Sequence, residues 1–293
     1  MLTQEQLLAG LVLPIDKPRQ WTSFQAVNKI KAVVRNLYGQ RDTNGAKAAI
    51  NGGLKKFKIG HAGTLDPLAT GLLLVCIGKA TKDIPRLQDG DKVYTGTLVL
   101  GATTPCFDLE RPVDRYYPYG HITFASLQAA AQQFTGTILQ VPPMFSAVKI
   151  DGQRAYEYAR TDDPSVTIQP KPVNVYSFEI TAFREGKDNP ENPEHPEKPE
   201  KPGNPDIPQK NLYQNPLGEV PTHLPQADFR IHCGKGSYIC SLARDLGLAL
   251  GSGAFLSALR REQVGDYTVA NALTLDTVAD HLRNLTASPA PLQ

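Results

Sequence analysis

The chain is short of cysteine, and the cysteines it has are not spaced for chemistry. Cys76, Cys106, Cys233 and Cys240 form no Cys-x-x-Cys pair and the six histidines are scattered. That argues against a zinc site or a disulfide framework and leaves free thiols in a reducing compartment as the simplest reading. Charge of one sign is also missing: 31 Lys and Arg face 29 Asp and Glu, a net charge of +2, so the total produces no strong field. The apolar run Leu72 to Ile77 is too short to span a membrane and has the length of a buried strand. Glu5 and the lack of any basic residue before the apolar stretch Leu7 to Leu13 argue against a secretory signal. A Walker phosphate loop is absent, because Gly78-Lys79 is followed by Ala80 and Leu73 stands five residues before Gly78. A soluble cytoplasmic protein without membrane, metal or cofactor is the expectation.

The 293 residues are 41% hydrophobic, enough for a large core. The most informative stretch is Ile59 to Lys82, IGHAGTLDPLATGLLLVCIGKATK, which sets Asp66 in a glycine-rich turn immediately before the apolar run. Gly60, Gly63 and Gly71 let the backbone pass where side chains would block it, and Pro67 biases Asp66 toward an extended conformation. Two readings are open. Asp followed by Pro is a common helix start, with Asp as N-cap and Pro at the first helical position. Alternatively, with His61 and Thr64 in the same turn, Asp66 is a carboxylate held in a rigid loop beside the core. From Lys29 to Lys58 there are eight Lys or Arg and one acid, Asp42. Such a run is either a solvated helix face or a basic edge suited to a polyanion.

Along the chain, Leu11 to Ile15 reads as a strand, and Thr22 or Ser23 can cap a helix to about Tyr38 with Val27, Ile30, Val34 and Leu37 on one face. Residues 40–55 read as a polar loop, which the family resemblance given below makes an insertion. Asp91 to Gly101 alternates as a half-buried strand, with Val93, Thr95, Thr97 and Val99 on one side and Tyr94, Leu98 and Leu100 on the other. Thr123 to Phe134 reads as a helix closed by Gly136, and Gly152 to Arg160 as a short amphipathic helix. Prolines at 190, 193, 196, 199, 202, 205 and 208 keep a strict period of three without glycine at every third place. Residues 185–226 are therefore a polyproline II or disordered surface insertion. It falls between strands expected around Val175 to Ala182 and Phe229 to Cys233. IHCGKGSYICSLARDLG then reads as strand, glycine turn and helix from about Tyr238.

GHAGTLDPLATGLLLVCIGKATK resembles the signature of the TruB-type tRNA pseudouridine-55 synthases. Four more segments match that family in order: LPIDKPRQWTSF at 13–24, DKVYTGTLVLG at 91–101, QVPPMFSAVKIDGQRAYEYAR at 140–160 and IHCGKGSYI at 231–239. The resemblance covers most of the chain. It implies the pseudouridine synthase catalytic fold, an α+β domain with a mixed, mostly antiparallel central sheet flanked by helices and loops. That single domain would span 1–293, with no C-terminal PUA domain. It also implies an isomerase converting uridine to pseudouridine at position 55 in the T-loop of tRNA, with Asp66 as the catalytic carboxylate. Tyr94, Tyr238 and Leu259 are placed around the target base, while His61, Lys17, Lys149, Arg260 and Arg261 support the loop or contact RNA. From the residues alone, Tyr94 reads as an ordinary core or edge aromatic and Lys149 as a solvated lysine. No metal or cofactor is implied; the partner is the T-arm of tRNA, bound by a monomer.

The reaction breaks the N1 glycosidic bond, turns the uracil and joins C5 to ribose C1′, so no redox or metal chemistry is needed. A carboxylate can serve as nucleophile or as base, and both stay open. The target base must leave its stack, which calls for an aromatic in the pocket, Tyr94, and a residue that invades the RNA loop, His61. One departure stands out: Cys240 occupies the place where the family has an Arg that pairs with the catalytic Asp. Arg244, one helical turn on, is a possible substitute or has a separate structural job. The alternative function is therefore a tRNA-binding or RNA-folding protein of the same fold with weakened or lost catalysis.

Overall fold

The computed structural model describes residues 9–39, 58–143, 149–150, 153–154, 168–186 and 219–284. In chain order these form β1 Leu11–Lys17, α1 Ser23–Gly39, β2 Ile59–Ala62, β3 Thr70–Ile77, a 3-10 turn Gly78–Asp83, α2 Ile84–Asp89, β4 Lys92–Leu100, β5 Ala102–Thr103 and β6 Arg115–Tyr116. They continue as α3 Phe124–Gln132, β7 Gly136–Gln140, β8 Lys149–Ile150, β9 Gln153–Arg154, β10 Lys171–Arg184, β11 Gln226–Cys233, α4 Ile239–Ala249, β12 Ala254–Val264, β13 Tyr267–Thr268, a 3-10 turn Val269–Asn271, β14 Leu273–Thr274 and α5 Leu275–Asn284. The class is α+β, with mostly antiparallel strand pairs. Two compact units share these elements, one made of the chain up to Lys92 and from Arg260 onward, the other of Val93–Leu259. Most of the insertions at 40–55 and 185–226 lies outside the described residues.

The first unit is built on β3. Its side chains alternate between two cores: Leu73, Val75 and Ile77 join Leu13, Ile15, Ile30 and Val278 on one face, while Leu72, Leu74 and Cys76 join Leu87 and Val264 on the other. Burial on both faces explains why the sequence here is a continuous apolar run rather than an alternating one. Each fully buried aliphatic contributes roughly 1.5–3 kcal/mol. One edge of β3 pairs antiparallel with β1 from Leu11↔Ile77 to Lys17↔Gly71. The other edge is divided: β2 pairs antiparallel with residues 74–77, and β12 pairs parallel through Arg260↔Thr70 and Arg261↔Gly71. The loop carrying Asp66 leaves the sheet where β2 gives way to β12.

Helix α1 starts on a capping box. The Thr22 hydroxyl accepts from the Gln25 N–H at 3.0 Å and the Gln25 side chain accepts from the Thr22 N–H at 2.8 Å. Thr22 is thus the cap, which releases Ser23 for another use.

The second unit holds β7, β10, β11 and β4 in a sheet that continues to the first half of β12. α3 and α4 contribute Leu127, Ala131, Leu242 and Leu246 to a core with Leu98, Phe178, Ile180, Phe229 and Leu256. Only part of β4 is half-buried: Leu98, Val99 and Leu100 are all buried, so its last turns lose the expected alternation. β10 is bulged between Ile180 and Ala182, and Gln128 of α3 accepts the Ile180 N–H at 3.1 Å. The helix expected from Gly152 begins instead as the hairpin β8–β9, pairing Lys149 with Arg154; residues 155–160 lie outside the described set. Where the proline-rich insertion departs, Gly186 packs so closely that a Cβ would lie 2.7 Å from the His223 carbonyl oxygen and 2.9 Å from both Pro225 and the Tyr119 ring.

Candidate active site

Asp66 caps no helix. Residues 67 and 68 bend, β3 begins at Thr70, and the Ala69 N–H donates to the Asp66 carbonyl at 3.2 Å. The rigid-loop reading therefore replaces the N-cap. Asp66 and Thr64 are exposed, and Leu65 between them is buried. Two glycines are required here. Gly63 has φ +90°, and Gly71, at φ +99°, passes so near β12 that a Cβ would stand 2.3 Å from the Arg261 carbonyl oxygen.

The loop is held by side chains and backbone from outside it. Arg261, 2% exposed, donates from Nε to the Leu72 carbonyl at 2.7 Å, from NH2 to Gly63 at 3.2 Å and from NH1 to Thr64 at 3.3 Å. The Ser23 hydroxyl accepts from the Leu65 N–H at 2.9 Å and donates to the Leu65 carbonyl at 3.0 Å. Lys17 Nζ, fully buried, donates to the carbonyls of Trp21 at 2.6 Å, Pro18 at 3.0 Å and Pro67 at 3.3 Å. The Gln20 N–H adds a bond to Pro67 at 2.8 Å, and Gln20 itself sits at φ 67°. The main-chain oxygens of Gly63, Thr64, Leu65 and Pro67 are thus fixed on both sides of Asp66. Burial lowers the Lys17 pKa to about 8, opposed by the negative charge of Asp66 and reinforced by the positive charge of Arg261. His61 lies in β2 with its Nδ1 buried and lacking a hydrogen-bond partner among the described residues, and burial lowers its pKa.

The remaining candidates have distinct environments. Arg260 is bound bidentately to Asp16 at 2.8 and 3.0 Å and lies 3.7 Å from Glu262, so its fork is turned to carboxylates. Arg261, being buried, faces loop carbonyls instead of solvent. In the second unit, Tyr94, Leu259 and Cys240 are partly buried against the core. Tyr238 is the N-cap residue of α4, and the buried Gln140 clamps its backbone by accepting the N–H at 2.8 Å and donating to the carbonyl at 3.1 Å. Arg244 is committed locally: Nε donates to Asp245 at 2.7 Å, NH2 to the Val141 carbonyl at 3.1 Å, and its Cζ lies 5.5 Å from the Phe107 ring centre. The side chain of Lys149 lies outside the described residues.

A second carboxylate loop, unmarked by sequence reasoning, runs from Thr104 to Glu110. Phe107 adopts φ 61°, the Thr104 hydroxyl donates to the Asp108 carbonyl at 2.7 Å, and the Asp108 carboxylate accepts the Glu110 N–H at 2.9 Å. Burial raises the Asp108 pKa and pushes the Cys106 thiol up to about 12. The bonds made by Gln140 and by Ser23, which the sequence offers only as a helix cap, are likewise invisible in local pattern, since their partners are 98 and 42 residues away. Among the described residues no His, Cys, Asp and Glu group could hold a metal ion, and no helix is long and apolar enough to cross a membrane.

The tRNA pseudouridine synthase B of Flavobacterium johnsoniae is 42% identical over 282 residues, covering 96% of this chain and 100% of that one. The chain belongs to the TruB family of pseudouridylate synthases. The TruB family pseudouridylate synthase N-terminal domain matches residues 51–191, and the tRNA pseudouridylate synthase B C-terminal domain matches 241–290. The Phocaeicola vulgatus tRNA pseudouridine synthase B is 40% identical over 274 residues, 93% of each chain. Among solved structures, a chain in a Cbf5-Nop10-Gar1 complex superposes with a TM-score of 0.57 at 23% identity, over 96% of this chain and 56% of that one. This TruB-family chain thus spans about half of that solved one, and the likeness bears on the fold.

Proposed function

We propose that this chain isomerises uridine to pseudouridine at position 55 in the T-loop of tRNA, with Asp66 as the catalytic carboxylate. The observation that carries this reading is a solvent-exposed acid on a loop whose flanking carbonyls are fixed by Arg261, Ser23 and Lys17. Rigid support of that kind is what a reacting group needs, because misplacement by about 1 Å can cost on the order of a hundredfold. In the reaction the N1–C1′ bond breaks, C5–C1′ forms, the C5 proton leaves and N1 gains a proton, so mass is unchanged. Asp66 acts as nucleophile toward the ribose or base ring, or as base. The relatives named tRNA pseudouridine synthase B support tRNA as substrate. Tyr94, Tyr238 and Leu259 are assigned to the base and His61 to entry into the RNA loop, with a monomer acting on the T-arm.

The test is tritium release from tRNA transcripts labelled at uridine C5, which reports loss of the C5 hydrogen. Asp66→Asn keeps the shape and removes the nucleophile and base, so release is expected to stop while tRNA affinity stays within a few fold. Near wild-type release from Asp66→Asn would remove the carboxylate from the chemistry. No release from the wild-type chain, with tRNA still bound, would favour a binding protein of the same fold.

A further inference from the structure

Among the described large apolar side chains of the first unit, Phe24 alone is exposed, at 68%. Every other apolar residue of α1 whose side chain is described, apart from the small Ala32, is turned into the core: Ala26, Val27, Ile30, Val33 and Val34. A single exposed aromatic is ordinary on a protein surface; its address is what matters here. Phe24 follows Ser23, whose hydroxyl holds Leu65, the neighbour of Asp66. The turn Pro18–Trp21 is tied to the same loop through Lys17 and the Gln20 N–H, and it presents Arg19 to solvent.

Helical spacing extends this address into a stripe. Asn28 and Lys31 follow Phe24 at i+4 and i+7 and so share its face of α1. Asn28 is exposed and Lys31 half-buried. The stripe runs about 10 Å, from seven residues at 1.5 Å rise each. α1 contains no acid. Its other described cation, Lys29, is taken by Asp276 and the Trp21 ring, whereas among the described residues neither Lys31 nor Arg19 pairs with a carboxylate. Aromatic, amide and cation in a row, starting next to the residue that holds the Asp66 loop, match what unpaired RNA offers: a base face, base edges and phosphates.

We infer that the stripe Phe24, Asn28 and Lys31, with Arg19, is a contact surface for the tRNA substrate outside the target-base pocket. It takes an unpaired base on Phe24 and backbone phosphates on Lys31 and Arg19. This rests on the function proposed above and adds positioning residues to it. The full-length chain is tested on C5-tritiated tRNA transcripts. Phe24→Ala raises KM about tenfold, as expected for loss of one stacked base, while kcat falls less than threefold. Phe24→Trp restores KM, and Lys31→Gln lowers the salt slope of binding by about 0.7–0.9, one phosphate contact. Wild-type KM in Phe24→Ala, or a KM defect accompanied by a lowered melting temperature, would overturn the inference. If the wild-type chain releases no tritium, the earlier reading fails, and filter binding of the same tRNA decides this one. Weaker binding by Phe24→Ala sustains the surface; equal binding ends it.

Discussion

Two loops of this molecule each carry an aspartate next to a non-glycine residue in left-handed or tightly braced backbone, and they use the acid in opposite ways. Around Asp66, the carbonyls are satisfied by Arg261, Ser23 and Lys17 from other segments, and the carboxylate stays at the surface. In the loop of Asp108, the groups that satisfy the backbone come largely from the loop itself: Thr104 and Cys106 donate to the Asp108 carbonyl, and the Asp108 carboxylate is spent on the Glu110 N–H. Burial then raises the pKa of Asp108. Rigidity supplied from outside leaves Asp66 exposed, while rigidity supplied from within draws the Asp108 carboxylate into its own loop.

The largest effect that can break this comparison is on turnover. Asp66→Asn should cost at least 10²–10⁴-fold, roughly the range for removing a general base, with the melting temperature unchanged because the side chain is exposed. A fall in melting temperature matching the loss of rate would make Asp66 structural after all. Next comes Arg261→Met, which strips the buried cation from three carbonyls and should lower stability by about 3–5 kcal/mol, read from the urea midpoint. A loss under about 1 kcal/mol would show that the loop is held without it.

pH separates the two loops more finely. The Lys17 ammonium has three N–H donors for three carbonyls, and its neutral form has two. The single-turnover rate should therefore decline above about pH 8. Stability should not follow it down. Between about 8 and the ordinary lysine value of 10.5 the unfolded chain holds more protons on this amine than the fold does, so this group makes stability rise with pH. Asp108 has the opposite sign: its raised pKa contributes stability that is fully present below 3.8 and is lost as pH climbs through the folded value. Asp108→Asn should flatten that acid-side slope in urea titrations from pH 3 upward; an unchanged slope would assign it elsewhere. The smallest effect is at Gln20, where φ is 67°. Gln20→Gly removes the left-handed penalty and should change stability by no more than about 1 kcal/mol, in the stabilising direction, with turnover intact if the Gln20 N–H keeps its bond to Pro67.

The elements most legible in the sequence are those fixed by local pattern. The apolar run became β3, Thr22 and Gln25 set the start of α1, and the Gly-Lys-Gly-Ser turn led into α4 at Tyr238. The position of Asp66 in a loop was one of two open readings, and the following strand settles it. Contacts over long separations were hidden. The adjacent arginines at 260 and 261 read alike in the sequence, yet successive residues of a strand face opposite ways, so one meets Asp16 and the other is buried under the loop. The β-hairpin at Lys149–Arg154 escaped because two-residue strands carry too little periodicity to register.

The close packing at Gly186 has a consequence for how this chain can vary in length. The described chain on the two sides of the proline-rich insertion meets at one spot, where Gly186 lies against His223 and Pro225 within the reach of one methyl group. The two ends are already joined through their own contacts, so whatever lies between them has no distance to bridge. Closing a longer loop costs only about 0.6 kcal/mol for each doubling. That makes this spot a permissive port, where tens of residues can be added, exchanged or removed while the strands on either side keep their register.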